Sequence, residues 1–252
     1  MRNVFFIGLL AVLLSACITE REFKPRDSDR AAELNAELGL GYLKQGQYKR
    51  ARGKLEKALE FNSENVKALH YMGELHRRLN QNEKAGEYFK QALELAPADK
   101  ILLNNYGVYL CNIKKYEQAI EIFNKTLNDP LYEEKAGTYE NIGLCRLWQG
   151  KIQESESAFG QALAINPKMA SSLLELAKMK FDLGRSRAAY DYYSRYIAVA
   201  THTPESLWLG ILLEHARGAK NTVASYKVKL KGRFPDSEET RRLKKLEAKG
   251  EL

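Results

Sequence analysis

Histidine and cysteine are the side chains in this sequence that could carry catalytic or metal chemistry, and both are scarce. The four histidines are His70, His76, His202 and His215. His70 and His76 stand six residues apart, so they do not share the helix face that an H-E-x-x-H zinc motif needs. The sequence also lacks Cys-x-x-Cys, a glycine-rich phosphate loop and G-x-S-x-G. We therefore expect a binding protein, not an enzyme, with no metal or other cofactor.

The elements that must position any binding residues are short helices that recur every 34 residues. The unit from Val66 to Asp99 follows the spacing W-x2-L-G-x2-Y, then A-x3-F, then Pro. One glycine and one alanine return with the same period, at Gly39, Gly73, Gly107 and Ala51, Ala85, Ala119. The resemblance is to the tetratricopeptide repeat. Its two helices need small residues where they cross closely.

We predict an all-α fold, a right-handed superhelical solenoid of about six tetratricopeptide repeats. The sixth is degenerate, because Thr222 stands where alanine is expected. The predicted segments are a signal peptide at 1–17, a polar tether at 18–31, the repeat array at 32–236 and a polar capping helix at 237–252. Asp236 or Ser237 is the expected N-cap of that last helix.

Two cysteines fall inside the repeats. Cys111 and Cys145 lie on the first helices of the third and fourth units, which are neighbours in the predicted stack. In an oxidising compartment they could form a disulfide that staples the two repeats together. Their positions within the repeat differ by two residues, so two separate buried thiols are the alternative.

The N-terminus has the features of an export signal. Arg2 precedes an apolar run from Val4 to Leu14, which is too short to cross a bilayer. The following Leu14-Ser15-Ala16-Cys17 resembles the lipobox of bacterial lipoproteins, which implies cleavage before Cys17 and attachment of lipid to it. Ile18 is not the aspartate that favours inner-membrane retention in that family. The resemblance implies a chain anchored by acyl groups to the periplasmic face of the outer membrane, with an ordinary signal peptide as the alternative.

The repeat phase places a partner-binding groove on the concave face, which the first helix of each pair lines. Asparagine can pair with a peptide backbone as donor and acceptor, and Leu, Tyr and Val supply apolar contact. Each side chain could instead serve packing between repeats. The predicted groove residues are Leu40, Leu43, Tyr71, Glu74, Arg78, Asn104, Asn105, Val108, Asn112, Asn141, Leu144 and Trp148. Because His70 and Glu74 occupy two places of the Lys/Asn clamp known in some tetratricopeptide domains, we do not expect a carboxylate clamp.

The formal net charge of +8 favours an anionic neighbour, either phospholipid headgroups or an acidic protein. No motif combines clustered Lys and Arg with stacking aromatic residues, so nucleic acid is not an expected partner. The basic helix at 237–252 is either a solvated cap or a lipid-binding patch.

Several local runs make a more specific resemblance, to the type IV pilus biogenesis and stability lipoproteins, which are pilotins of the pilus secretin. These runs are Leu14 to Cys17, Asn104 to Gly107 with Cys111, Asp129 to Tyr132, Tyr139 to Cys145, Leu207 to Gly210 and Phe234 to Ser237. The resemblance implies a monomeric scaffold that binds secretin subunits, promotes their localisation and assembly in the outer membrane, and supports twitching motility.

Two other binding functions stay open at this point. Another outer-membrane repeat lipoprotein could act as an adaptor for outer-membrane protein assembly or for peptidoglycan hydrolases. A structural factor for adhesion or pilus bundling at the cell surface is the second alternative.

Overall fold

The computed structural model describes residues 25–252, which form thirteen α-helices. The predicted signal segment with Cys17, and residues 18–24 of the predicted tether, lie outside the described residues. The helices are α1 Pro25–Lys44, α2 Tyr48–Phe61, α3 Val66–Arg78, α4 Asn82–Leu95, α5 Lys100–Asn112, α6 Tyr116–Leu127, α7 Lys135–Trp148, α8 Ile152–Ile165, α9 Ala170–Asp182, α10 Ser186–Val199, α11 Pro204–Ala216, α12 Lys220–Arg233 and α13 Glu238–Glu247. The prediction of an all-α fold built from tetratricopeptide repeats is confirmed.

The described residues divide into two compact units, 25–68 and 69–252. In the first unit α1 packs along α2, and its core contains the fully buried Ala32, Ala36, Ala51 and Leu55. No Cβ fits at Gly39, since it would lie 2.5 Å from Leu55 Cδ2. The close crossing expected of a first repeat is therefore present.

Helix α1 begins at Pro25, inside the segment 18–31 that we predicted as a polar tether. Polar contacts explain this early start. Ser28 donates a hydrogen bond to the carbonyl of Phe61, and Asn62 Nδ2 donates to Asp29 Oδ1 at 2.7 Å. These contacts hold the first turns of α1 on the end of α2 without an apolar stripe, so hydrophobic periodicity could not reveal them.

In the second unit each pair of helices stacks on the next, with α5 and α6 followed by α7 and α8, then α9 and α10, then α11 and α12. At each crossing a small residue on the first helix faces an aromatic ring on the second. A Cβ added at Gly107 would lie 2.5 Å from Phe123 Cε1, and one at Gly143 would lie 2.6 Å from Phe159 Cδ1. The recurring glycine is therefore a packing requirement.

The C-terminal end of the second unit is closed by α13. Ser237 is the N-cap, since its hydroxyl accepts from the backbone N–H of Thr240 at 3.1 Å. Thr240 in turn donates to the carbonyl of Phe234 at 2.7 Å, and Leu243 is fully buried. Among the described residues, no helix combines the length and the apolar character needed to cross a membrane.

Candidate functional site

The first helices of the second unit are joined to one another by a row of polar contacts, which we call the polar ladder. His70 Nε2 lies 2.8 Å from Asn105 Nδ2, which links α3 to α5. Further along, Glu140 Oε2 on α7 accepts from the Ser172 hydroxyl at 2.7 Å and from its backbone N–H at 3.0 Å. The carboxylate of one repeat thereby caps the N-terminus of α9 in the next. Lys178 on α9 reaches Glu205 on α11 at 2.5 Å.

Glu74 is an anchor of this ladder and is only 8% exposed. It accepts from Arg77 Nε and from Arg78 Nε, both at 2.6 Å. Burial acts to raise the pKa of Glu74, but the two guanidinium groups outweigh it and hold the pKa below its usual value. With its amide oriented to satisfy both neighbours, Asn112 accepts from Arg77 Nη1 at 2.8 Å. A buried carboxylate and a guanidinium therefore tie α3 to α5.

The other asparagines of the predicted groove are also engaged with neighbouring helices. Asn104 Oδ1 accepts from Thr138 Oγ1 at 3.0 Å and from Asn141 Nδ2 at 3.3 Å, both across α5 and α7. Tyr132, which follows α6, lies with its hydroxyl 3.1 Å from that of Thr138. The amides thus serve contact between repeats.

The apolar members of the predicted groove are placed differently from one another. Tyr71, Val108 and Leu144 are half-buried on the first helices of the second unit. In the first unit Leu40 is half-buried, whereas Leu43 is 1% exposed and belongs to the core. Leu43 is therefore buried and does not line a groove.

Cys111 and Cys145 are joined by a disulfide, with their Cα atoms 5.6 Å apart. The bond connects α5 to α7 near the C-terminal ends of both helices. Both cysteines are buried. The offset of two residues in repeat phase does not prevent the bond, since adjacent first helices bring the two backbones within the usual bonding range.

Two of the predicted groove residues, Asn112 and Trp148, line a separate cleft. This cleft, of about 400 Å³, lies beside the turns that follow α3 and α5, and we call it the turn cleft. Trp148 is 52% exposed there. The residues lining the turn cleft are Asn80, Asn82, Cys111, Asn112, Lys114, Tyr116 and Trp148.

Sequence reasoning missed most of these partners. His70, Thr138, Ser172 and Lys178 carry the polar ladder, but each finds its partner about one repeat away, and a single sequence gives no sign of such pairs. Lys114 was also missed, although it stands where other repeats have a turn glycine. Within residues 25–252 no three His, Cys, Asp or Glu side chains converge as a metal site would require.

The stacked helix pairs and the polar first-helix face define a tetratricopeptide-repeat scaffold. Tetratricopeptide repeat models match residues 36–100 and 88–121. The chain is 31% identical to the type IV pilus assembly protein PilF of Pseudomonas aeruginosa over 92% of its own length and 93% of the relative. The chain belongs to the PilF/PilW family of type IV pilus biogenesis factors.

Two solved structures show the same relationship in three dimensions. A Pseudomonas aeruginosa PilF structure matches with a TM-score of 0.73 at 30% identity, covering 86% of this chain and 98% of that one. The structure of PilW, described as a widely conserved type IV pilus biogenesis factor, matches with a TM-score of 0.73 at 29% identity, covering 84% and 97%. An uncharacterised protein of Haemophilus influenzae is 29% identical over 65% of this chain and 91% of its own.

Proposed function

We propose that this chain is a non-enzymatic pilotin that binds subunits of the type IV pilus secretin and promotes their localisation and assembly in the outer membrane. The observation that carries the proposal is the end-to-end similarity to a type IV pilus assembly protein, at 31% identity with more than nine-tenths of both chains covered. A repeat scaffold of this kind acts by holding a client, so no chemical step is required. We propose that it does so as a monomer.

The anchor of the proposed pilotin is lipid on Cys17, which would hold the scaffold at the periplasmic face of the outer membrane. Residues 18–24 separate Cys17 from the start of α1 at Pro25. Seven residues span at most about 25 Å when extended. The repeats would therefore stay close to the membrane, and membrane attachment would raise the local concentration of client and scaffold together.

The secretin-binding face would be the first-helix face of the second unit. Tyr71, Val108 and Leu144 offer apolar contact there, while Asn141 offers an amide. The polar ladder holds α3, α5 and α7 in fixed register beneath these side chains. Preorganisation of this kind lowers the entropy cost of binding an extended or helical segment.

The test is a strain that lacks this chain, blotted for heat-resistant secretin multimers in the outer membrane. Wild type should restore the multimers, and Cys17→Ala should restore them poorly because delivery to the membrane is lost. Multimers that persist without the chain would contradict the pilotin function. In that case an adaptor for outer-membrane protein assembly or for peptidoglycan hydrolases becomes the better assignment.

The groove can be tested with one substitution and a matched control. Val108→Asp places a carboxylate in the middle of the proposed face, and Val228→Asp places the same charge on α12 at a position that is 72% exposed. We expect only Val108→Asp to reduce the multimers, with both variants folded by circular dichroism.

Protease treatment of intact cells distinguishes a periplasmic scaffold, which is protected, from a surface adhesion factor.

A further inference from the structure

The turn cleft has features of a ligand-binding site that are separate from the proposed secretin-binding face. It lies between the turn after α3, the turn after α5 and the end of α7. Two residues of these turns, Asn80 and Lys114, have positive φ angles of 56° and 63°. They are the non-glycine residues with positive φ among residues 25–252, and both line this one cleft.

Glycine occupies the same place in the other repeats. The corresponding turns use Gly46, Gly150, Gly184 and Gly218, each two residues after the end of its helix and each with positive φ. A side chain in the left-handed region costs conformational free energy, less for asparagine than for lysine. Glycine adopts this conformation without a steric cost, so the left-handed backbone of the two turns does not by itself require Asn80 or Lys114. Backbone strain of this kind is characteristic of functional sites.

The lining of the turn cleft defines the ligand chemistry. Three amide side chains, those of Asn80, Asn82 and Asn112, each offer a donor and an acceptor, and Lys114 adds a cation. The apolar surface is aromatic, from Tyr116 and the half-exposed Trp148. Among residues 25–252, no aliphatic side chain lines the cleft.

This combination suits a sugar better than a peptide. Each sugar hydroxyl both donates and accepts, as an amide does, and the C–H face of a pyranose ring packs on an aromatic side chain. A pocket for an apolar peptide side chain is lined predominantly by hydrophobic residues, whereas four of the seven lining residues here, three asparagines and one lysine, are polar or charged. A volume of about 400 Å³ holds one or two pyranose rings, within the usual range of ligand sites.

The cleft is also held rigidly. The disulfide of Cys111 forms part of its wall and ties α5 to α7. Tyr116 donates to the carbonyl of Trp148 at 3.4 Å, and Asn112 is held by Arg77. A ligand would therefore meet side chains that are already in place.

We propose that the turn cleft binds an N-acetylhexosamine unit of a glycan strand. Trp148 would pack on the ring, Tyr116 would contact the acetamido methyl, and the asparagine amides would pair with the acetamido group and hydroxyls. Lys114 would donate a hydrogen bond to a hydroxyl group of the sugar ring.

The test measures binding of N-acetylchitotriose to the full chain in detergent micelles, by saturation-transfer NMR and calorimetry. Cellotriose, which has the same linkage without acetamido groups, is the control ligand. We expect Trp148→Ala and Lys114→Gly each to weaken binding at least tenfold. Trp208→Phe, which changes an aromatic residue outside the cleft, should leave it unchanged.

The glycine variants separate a binding role from a structural one. Asn80→Gly and Lys114→Gly restore the residue that other repeats use, so Tm should stay the same or rise while binding is lost. Absence of N-acetylchitotriose binding by wild type at ~10 mM would overturn the proposal. Equal binding of cellotriose, or binding that survives Trp148→Ala, would do so as well.

A peptide ligand is the competing outcome. A secretin peptide that binds wild type, is lost with Trp148→Ala and is not displaced by N-acetylchitotriose would assign the cleft to protein recognition and overturn the glycan proposal. Secretin multimer assembly is measured separately, so either proposal can fail while the other stands.

Discussion

Cys111 on α5 and Cys145 on α7 are 34 residues apart in the sequence, and their Cα atoms lie 5.6 Å apart in the fold. The two cysteines therefore face each other across neighbouring first helices, although their positions within the repeat differ by two residues. The disulfide closes a loop that contains the whole of α6 and the inserted turn after it.

Reduction of this disulfide should destabilise the second unit. Closing a loop of this length removes unfolded-state entropy worth about 3 to 4 kcal/mol. We expect reductant to lower the free energy of unfolding by that amount, measured by urea denaturation. The Cys111→Ala/Cys145→Ala variant is the control and should not respond to reductant. Identical stability of the oxidised and reduced wild type would contradict this prediction.

The close contact at Gly107 should tolerate no Cβ. Gly107→Ala forces the ring of Phe123 to move, and overpacking of this kind costs about 1 to 3 kcal/mol. Gly160 on α8 is the matched control because no atom lies within 4 Å of an added Cβ there. Gly160→Ala should raise stability by about 0.5 to 1 kcal/mol through its helix propensity. Equal effects of the two variants in urea denaturation would show that Gly107 is not a packing site.

The stability of the N-terminal turn of α9 should depend on a carboxylate from the preceding repeat. Met169, the N-cap residue, makes no side-chain cap, and Glu140 supplies the acceptor for Ser172 instead. Glu140→Ala should cost about 1 kcal/mol of unfolding free energy. Met169→Asp would reproduce the arrangement at α5, where Asp99 caps its own helix. We expect Met169→Asp to restore stability in the Glu140→Ala background, and absence of any rescue would argue against the cap.

Stability should fall at mildly acidic pH because of His70. Burial lowers the pKa of His70, while the charges of Asp99 and Glu74 act in the opposite direction. Asn105 donates to Nε2, which only a neutral imidazole can accept. Below about pH 6.5 the unfolded chain binds a proton that folded His70 does not, so the free energy of unfolding falls as pH falls.

The slope can reach about 1.4 kcal/mol per pH unit until the pH reaches the lowered pKa of the folded state. Burial, together with Lys229 and Arg233, also lowers the pKa of His202. The contribution of His70 is therefore the difference between the pH slopes of wild type and His70→Gln. Urea denaturation between pH 5 and 7 should show a shallower slope in His70→Gln. His215→Gln, at an exposed position, is the control. A slope that His70→Gln leaves unchanged would contradict the prediction.

The amino-acid sequence determined the repeat architecture of this protein, because helix pairing in a tetratricopeptide unit depends on residues close in the chain. The period of 34, the small residue at each crossing and the large side chain that faces it all follow from contacts within one unit. The repeat phase also placed Cys111 and Cys145 on adjacent first helices, which left a disulfide or two separate buried thiols as the alternatives, and the structure has the disulfide. The lipid anchor at Cys17 and the secretin partner remain predictions.

Only the tertiary structure decided how the repeats are joined to one another. A polar side chain can hydrogen-bond to many different groups, so its residue type does not reveal its partner. The fold decided the pairs between repeats, which are His70 with Asn105, Asn104 with Thr138, and Glu140 with Ser172. The start of α1 at Pro25 was missed because polar contacts, not an apolar stripe, hold its first turns. The turn cleft likewise exists only where two turns and Trp148 meet, since no single repeat contains its walls.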